Sequence, residues 1–119
     1  MPTYLFSYRV ATPLRDVLGE SSEEQRAERV AAWNDWFDSM GDNLIERGQP
    51  VGVAHAVGNC DGEMRAGGYS LVAAESLEEA LRMAEGCPYV AWGGGVEVGE
   101  PLELPLAPLE PERETAASG

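Results

Sequence analysis

The chain has 119 residues, 44% of them hydrophobic, and carries 21 acidic against eight basic side chains, for a net charge of −13. This length suits one folded domain with a single core. The strong negative charge disfavours binding to nucleic acid or to an anionic membrane surface, because both need a cationic protein surface. No stretch is long and apolar enough to span a bilayer, and the start does not resemble a signal peptide, so we expect a cytoplasmic protein.

The first elements alternate strand and helix. Apolar and aromatic residues occupy every second position of 3–10, which predicts a strand. After a Pro/Gly-containing connection, Ser21 stands three residues before Glu24, the spacing of a capping box. We expect this helix to run to about Arg47, where Gly48 can stop it and Pro50 prevents its continuation.

The second half repeats this order. Alternation over 50–58, turn residues, and an apolar segment at 64–75 predict a β-hairpin. Ser76 and Glu79 have capping-box spacing and open a short helix that ends at Gly86. The glycines at 93–95 read as a linker, and 96–104 as the last strand.

The predicted order is therefore β-α-β-β-α-β. This favours an α+β, ferredoxin-like fold, with an antiparallel sheet that carries two helices on one face. We expect the domain to cover residues 1–103 and the Pro- and Glu-rich remainder, 104–119, to be a disordered acidic tail. Both faces of 50–58 are almost uncharged, so the second face of the sheet needs a partner, and a second copy of the chain in a twofold dimer would provide it.

The aromatic run at 33–37 has two interpretations, a ligand site or a core-facing helix stripe. The stripe is favoured because Trp33, Phe37 and Met40 recur at helical spacing together with Val30 and Leu44. Trp36 falls at its edge, where it could line a cavity wall. The aspartates on the opposite side lack the enclosing ligands that a metal site needs, and we predict neither a metal nor a cofactor.

Three further residues are candidates for a site. His55, the single histidine, is either a catalytic acid or base or a buried, hydrogen-bonded neutral imidazole. Arg9 could anchor a carboxylate or phosphate, or sit in solvent at the strand end. Tyr8 could contact a ligand, although a buried tyrosine with a satisfied hydroxyl is the commoner case.

Three segments, "WFDSMGDNLIERGQPVG", "GYSLVAAESLEEALRMAEGCP" and "GGGVEV", together resemble the YciI-like family, also called YCII-related or DGPF proteins. The resemblance extends over most of residues 3–100. It implies a dimeric α+β barrel with a cavity between sheet and helices, and small-molecule chemistry in some members. The histidine of the family's suggested His/Asp pair has no counterpart in 12–30, and of the DGPF motif only Asp61 and Gly62 are present.

Two functions stay open from the sequence. One is a homodimer that binds a small organic molecule and acts on it without a cofactor, by proton transfer or elimination on an aromatic or carbonyl compound. His55 would then be the acid or base, and Tyr8 and Arg9 would polarise or anchor the substrate. The other is a non-catalytic accessory protein that binds another protein.

Overall fold

A computed structural model describes residues 1–102 of the chain. These residues form four strands, four α-helices and one 3-10 turn at Gly41–Asn43. The predicted tail at 104–119 lies outside the described residues. In chain order the elements are β1 (Thr3–Val10), α1 (Leu14–Glu20), α2 (Glu23–Met40), β2 (Leu44–Glu46), β3 (Arg65–Ala73), α3 (Leu77–Ala84), α4 (Pro88–Ala91) and β4 (Gly95–Gly99).

The strands form one antiparallel sheet in the order β2-β3-β1-β4. β1 lies at its centre and pairs along its whole length with β3, from Thr3 opposite Ala73 to Val10 opposite Arg65. The register shifts once, between Tyr8 and Arg9. The prediction of an α+β domain with an antiparallel sheet is confirmed, and the arrangement is compatible with a ferredoxin-like fold.

The core lies between the sheet and the helices. Alternate residues of β1 point into it, which is why the strand reads as an aromatic and apolar alternation. Phe6 is fully buried and stacks on Trp36 of α2, with ring centroids 6.1 Å apart. The other buried residues of β1 are Tyr4, Tyr8 and Val10.

Helix α2 starts and ends at other residues than predicted. Its capping box is formed by Ser22 and Gln25, one residue later than the predicted pair. It stops at Gly41, whose φ of 54° breaks the helix, and not at Gly48. The early stop matters because the chain then turns back and places Leu44 opposite Val72, so that 44–46 forms the edge strand β2.

The predicted strand at 50–58 is wrong. Pro50 makes one isolated bridge to Gly68, and the rest of the segment, up to Met64, forms neither helix nor strand. Its alternation combines valine with glycine and alanine, which supply little side-chain surface to pack on a neighbouring strand. β3 itself matches the predicted return strand closely, but its outer partner is β2.

The later elements agree better with prediction. The Ser76 hydroxyl accepts a hydrogen bond from the Glu79 N–H and caps α3, while the Glu79 carboxylate accepts from the Glu75 N–H and so does not complete the box. The last strand is present but shorter than the predicted 96–104, since β4 covers Gly95–Gly99 and residues 100–102 are not in a strand. Helices α1 and α4 were not predicted, and α1 occupies the stretch read as a connection.

The outward side of the sheet, opposite the helices, carries both apolar and charged side chains. Leu5 faces outward and is 44% exposed, and the β1–β3 register places Leu71, opposite Leu5, and Tyr69, opposite Ser7, on the same side. An ion pair between Arg9 and Glu97, 3.1 Å apart, lies beside them. This face carries no helix of the described residues, so its apolar side chains remain accessible in a single copy of the chain.

Two glycines with nearly equal φ provide a matched test of the fold. Gly48 has φ 74° and Gly58 has φ 75°, but a Cβ on Gly48 would collide with the Tyr69 backbone, whereas one on Gly58 would meet no atom within 4 Å. We expect Gly58→Ala to lower the free energy of unfolding by about 1–2 kcal/mol. Gly48→Ala should lower it by about 3 kcal/mol or more, since a backbone collision adds to the same dihedral cost.

Urea denaturation of both variants measures the difference. Equal losses of stability would contradict the close approach of the segment after β2 to β3.

Candidate functional site

A cavity of about 650 Å³ opens between α1, α2, α4 and the end of the sheet. Its floor is the bulged part of the β1–β3 ladder, where Gly67 and Gly68 carry no side chain to fill it. Most of the remaining wall is apolar and aromatic. The aromatic rings that line it are those of Tyr8, Trp33, Phe37, Tyr89 and Trp92.

Trp33 organises the aromatic wall. Its ring lies 5.0 Å from that of Tyr8 and 4.9 Å from that of Tyr89, both in edge-to-face geometry. Phe37, one turn further along α2, lies 5.6 Å away. Edge-to-face contacts fix ring orientation as well as distance, so the wall is already ordered by contacts within the protein.

The hydroxyl of Tyr8 is held at the base of the wall. It donates to Ser70 Oγ at 2.6 Å, and Ser70 Oγ donates to the Arg47 carbonyl at the same distance. Burial raises the pKa of Tyr8 well above its ordinary value, with the Ser70 hydrogen bond opposing that shift. Tyr8 therefore lines the cavity with its ring while its neutral hydroxyl is engaged in the core.

Three arginines also line the cavity. Arg29 stacks over Trp92 and Arg47 over Phe37, each with Cζ 4.6 Å from the ring centroid. Arg26 Nε donates to the Leu18 carbonyl of α1 at 2.9 Å, and the Arg47 guanidinium donates to Asn34 Oδ1 at 2.8 Å. None of the three forms an ion pair with a carboxylate of residues 1–102.

Cys87, which is buried, and Tyr89, which lies at the wall, are uncharged at neutral pH. Burial raises the pKa of Cys87 to about 11. It also raises the pKa of Tyr89, where a contribution from Cys87 adds to the shift and Arg29 opposes it. Among the described residues that line the cavity there is no aspartate, glutamate or histidine. The fixed charge of the described wall is therefore positive.

Of the residues predicted for a site, the structure places Tyr8 alone in this wall. Arg9 lies on the opposite face of the sheet, where it pairs with Glu97 and donates to the Met64 carbonyl at 3.1 Å. It lines a separate, smaller depression of about 340 Å³ together with Leu5 and Ser7. Tyr8 and Arg9 thus face opposite sides of β1, as neighbours in a strand must.

Trp36 was expected at a cavity wall and Trp33 in the core, but Trp36 lies in the core and Trp33 lines the cavity. Trp36 is 6% exposed, and its indole N–H donates to the Met83 carbonyl at 2.9 Å, so it joins α2 to α3 in the core. It is not among the cavity-lining residues, whereas Trp33 and Phe37 are. Val30, expected on the core stripe, is 59% exposed at the cavity rim.

His55 is exposed on the segment between β2 and β3 and is not among the cavity-lining residues. The expectation of a buried, hydrogen-bonded imidazole is therefore wrong. It assumed a regular strand at 50–58, and without that strand the side chain has no sheet face to occupy.

Sequence reasoning missed the three arginines. A signal was present for two of them, because Arg26, Arg29, Trp33 and Phe37 follow one another at intervals of three or four residues and so share a helix face. The position of Arg47 gave no such signal, since it depends on where the chain runs after the unexpected strand β2.

Comparison of the chain with protein-family models, with curated proteins and with solved structures finds no match. Within residues 1–102 there is no helix with the length and hydrophobicity to cross a membrane. The same residues contain no cluster of three or more histidine, cysteine, aspartate or glutamate side chains placed to hold a metal ion.

The buried Tyr8–Ser70 pair can be tested by a double-mutant cycle. Ser70→Ala should lower the free energy of unfolding by about 1–3 kcal/mol, because it leaves the Tyr8 hydroxyl and the Arg47 carbonyl without their partner. Adding Tyr8→Phe removes one of those orphaned groups, so it should cost less in the Ser70→Ala background than in the wild type.

Tyr4→Phe is the matched control, since Tyr4 is buried on the same side of β1 and makes no hydrogen bond to Ser70. Its effect should add to that of Ser70→Ala. Additivity of Tyr8→Phe as well would show that the hydrogen bond does not stabilise the fold.

Proposed function

We propose that this protein binds a small organic molecule with an aromatic or apolar body in the cavity between its sheet and helices. The observation that carries this proposal is the cavity itself, with a volume of about 650 Å³ and a largely aromatic wall. Pockets that bind small molecules are concave, mostly apolar and of this size, with a few polar groups that orient the ligand.

The order of the wall supports binding. Trp33 is held by four neighbouring rings, those of Tyr8, Trp36, Phe37 and Tyr89. A ligand that inserts beside it would meet rings whose orientation is already fixed by contacts within the protein, so little conformational entropy would be lost on binding.

Binding has more geometric support than catalysis. Proton transfer requires a titratable group within hydrogen-bond reach of the substrate. The proposed acid or base, His55, lies outside the cavity lining, and the Tyr8 hydroxyl is engaged with Ser70. The wall offers stacking surfaces and guanidinium groups, which recognise and orient a ligand.

A neutral aromatic alcohol, 2-naphthylmethanol, tests the cavity. We expect it to bind and to change the tryptophan fluorescence, because Trp33 and Trp92 line the site. Val30→Trp should weaken this binding at least about tenfold by filling the rim of the cavity. Ala31→Trp is the control, since Ala31 is exposed on the same helix but does not line the cavity.

Equal affinity in the wild type, Val30→Trp and Ala31→Trp proteins would place the probe elsewhere. The proposed function would be overturned if neither this alcohol nor an anionic analogue with the same ring system binds to the wild type.

We also propose a ferredoxin-like topology and a distant relationship to the YciI-like proteins. The support is the strand order β2-β3-β1-β4 with antiparallel neighbours, together with a cavity between sheet and helices. The YciI resemblance of the sequence implies a dimeric α+β barrel with such a cavity. A cytoplasmic location belongs to this proposal too.

A homodimer is part of the same proposal, with the outward side of the sheet as its interface. Leu5 and Tyr69, both partly exposed, and the half-buried Leu71 provide an apolar centre. The Arg9–Glu97 pair beside them supplies one charge of each sign, which a twofold axis can match with the same pair in a second copy.

Leu5→Glu tests this interface. The wild type should sediment with twice the 12.8 kDa mass of one chain, and Leu5→Glu should sediment as a monomer because it places a charge at the interface centre. Leu81→Glu, at a comparably exposed leucine of α3, should leave the dimer intact. A monomeric wild type would exclude the dimer.

A further inference from the structure

Three of the eight arginines of this acidic protein line its cavity. Acidic residues outnumber arginines 21 to eight in the chain, and lysine is absent. Three of the arginines, Arg26, Arg29 and Arg47, nevertheless line the same cavity, and the described lining includes no carboxylate. The fixed charge of the described cavity lining is therefore opposite in sign to the net charge of the chain.

Each of the three guanidinium groups is positioned by contacts that leave N–H donors available. Arg29 uses its flat face, against Trp92, and makes no hydrogen bond to another residue of the described chain. Arg26 uses Nε alone, on the Leu18 carbonyl. Arg47 stacks on Phe37 and donates from one terminal nitrogen to Asn34.

These contacts hold the guanidinium groups without neutralising them. Stacking on a ring orients the planar group and leaves its edge, which carries the N–H donors, for another partner. Carbonyl and amide oxygens accept hydrogen bonds but carry no net charge. Like charges that line the same cavity repel one another, and an anion bound in the cavity lowers that repulsion.

We propose that the natural ligand of the cavity is an amphipathic organic anion, whose carboxylate or phosphate is bound by Arg26, Arg29 and Arg47 while its apolar body stacks on the aromatic wall. This inference rests on the proposed function and names its ligand class. Guanidinium groups bind both headgroups through paired, charge-assisted hydrogen bonds. The adjoining rings of Trp33, Phe37 and Trp92 accommodate a flat or branched apolar body.

Three probes with the same ring system separate the charge from the apolar contact. Calorimetry with 2-naphthoate, 2-naphthyl phosphate and neutral 2-naphthylmethanol should give at least about tenfold tighter binding for one or both anions, as expected for a hydrogen bond to a charged group. The anion with the higher affinity identifies the headgroup.

Arg29→Gln and Arg47→Gln should each weaken binding of the preferred anion about tenfold and weaken binding of 2-naphthylmethanol by a clearly smaller factor, since the neutral probe loses only the packing of the guanidinium group. Arg82→Gln is the control, because Arg82 is exposed on α3 and does not line the cavity. Thermal melting of each variant verifies that it is folded, and two independent arginine variants keep the test valid if one is unstable.

Equal affinity of the wild type for neutral and anionic probes would overturn the anion inference and leave the binding function standing. The anion inference also fails if Arg82→Gln weakens anion binding as much as Arg29→Gln does. Failure of all three probes to bind would overturn the proposed function and this inference with it.

Discussion

The position of Tyr8 is the constraint on which the rest of the structure depends. Its ring must be buried where β1 meets α2, and its hydroxyl must then find a partner inside the core. Ser70 of β3 provides that partner and passes the hydrogen bond on to the Arg47 carbonyl. One buried chain of two hydrogen bonds thus joins the central strand, its neighbour and the segment after β2, and it brings Arg47 to the cavity.

The sequence predicted those elements whose signal is local. The alternation of β1 and the caps of α2 and α3 depend on neighbouring residues, and the structure places them within a residue or so. The end of α2 could not be predicted in this way. Gly41 and Gly48 both have positive φ, and which of them stops the helix depends on the pairing of Leu44 with Val72, a contact far away in the sequence.

The candidate site was less predictable than the fold. Tyr8 could be placed because strand alternation fixes the face of the sheet to which it points. The places of Trp33 and Trp36 were predicted the wrong way round, since Trp33 lines the cavity and Trp36 is in the core. A helix pattern defines a stripe without defining which edge packs on the sheet, and here α3 decides the matter by offering the Met83 carbonyl to Trp36. His55 was misplaced for a different reason, since its predicted strand does not form.

Helix α1 has a consequence for how the cavity exchanges its contents with solvent. It has no buried residue, and Leu14, Val17 and Leu18 face the cavity. Segments that bury little apolar surface open locally at a small fraction of the global unfolding free energy. Local opening of α1 would uncover the aromatic wall while the sheet stays paired. We therefore expect the amides of α1 to exchange with deuterium before those of β1 and β3.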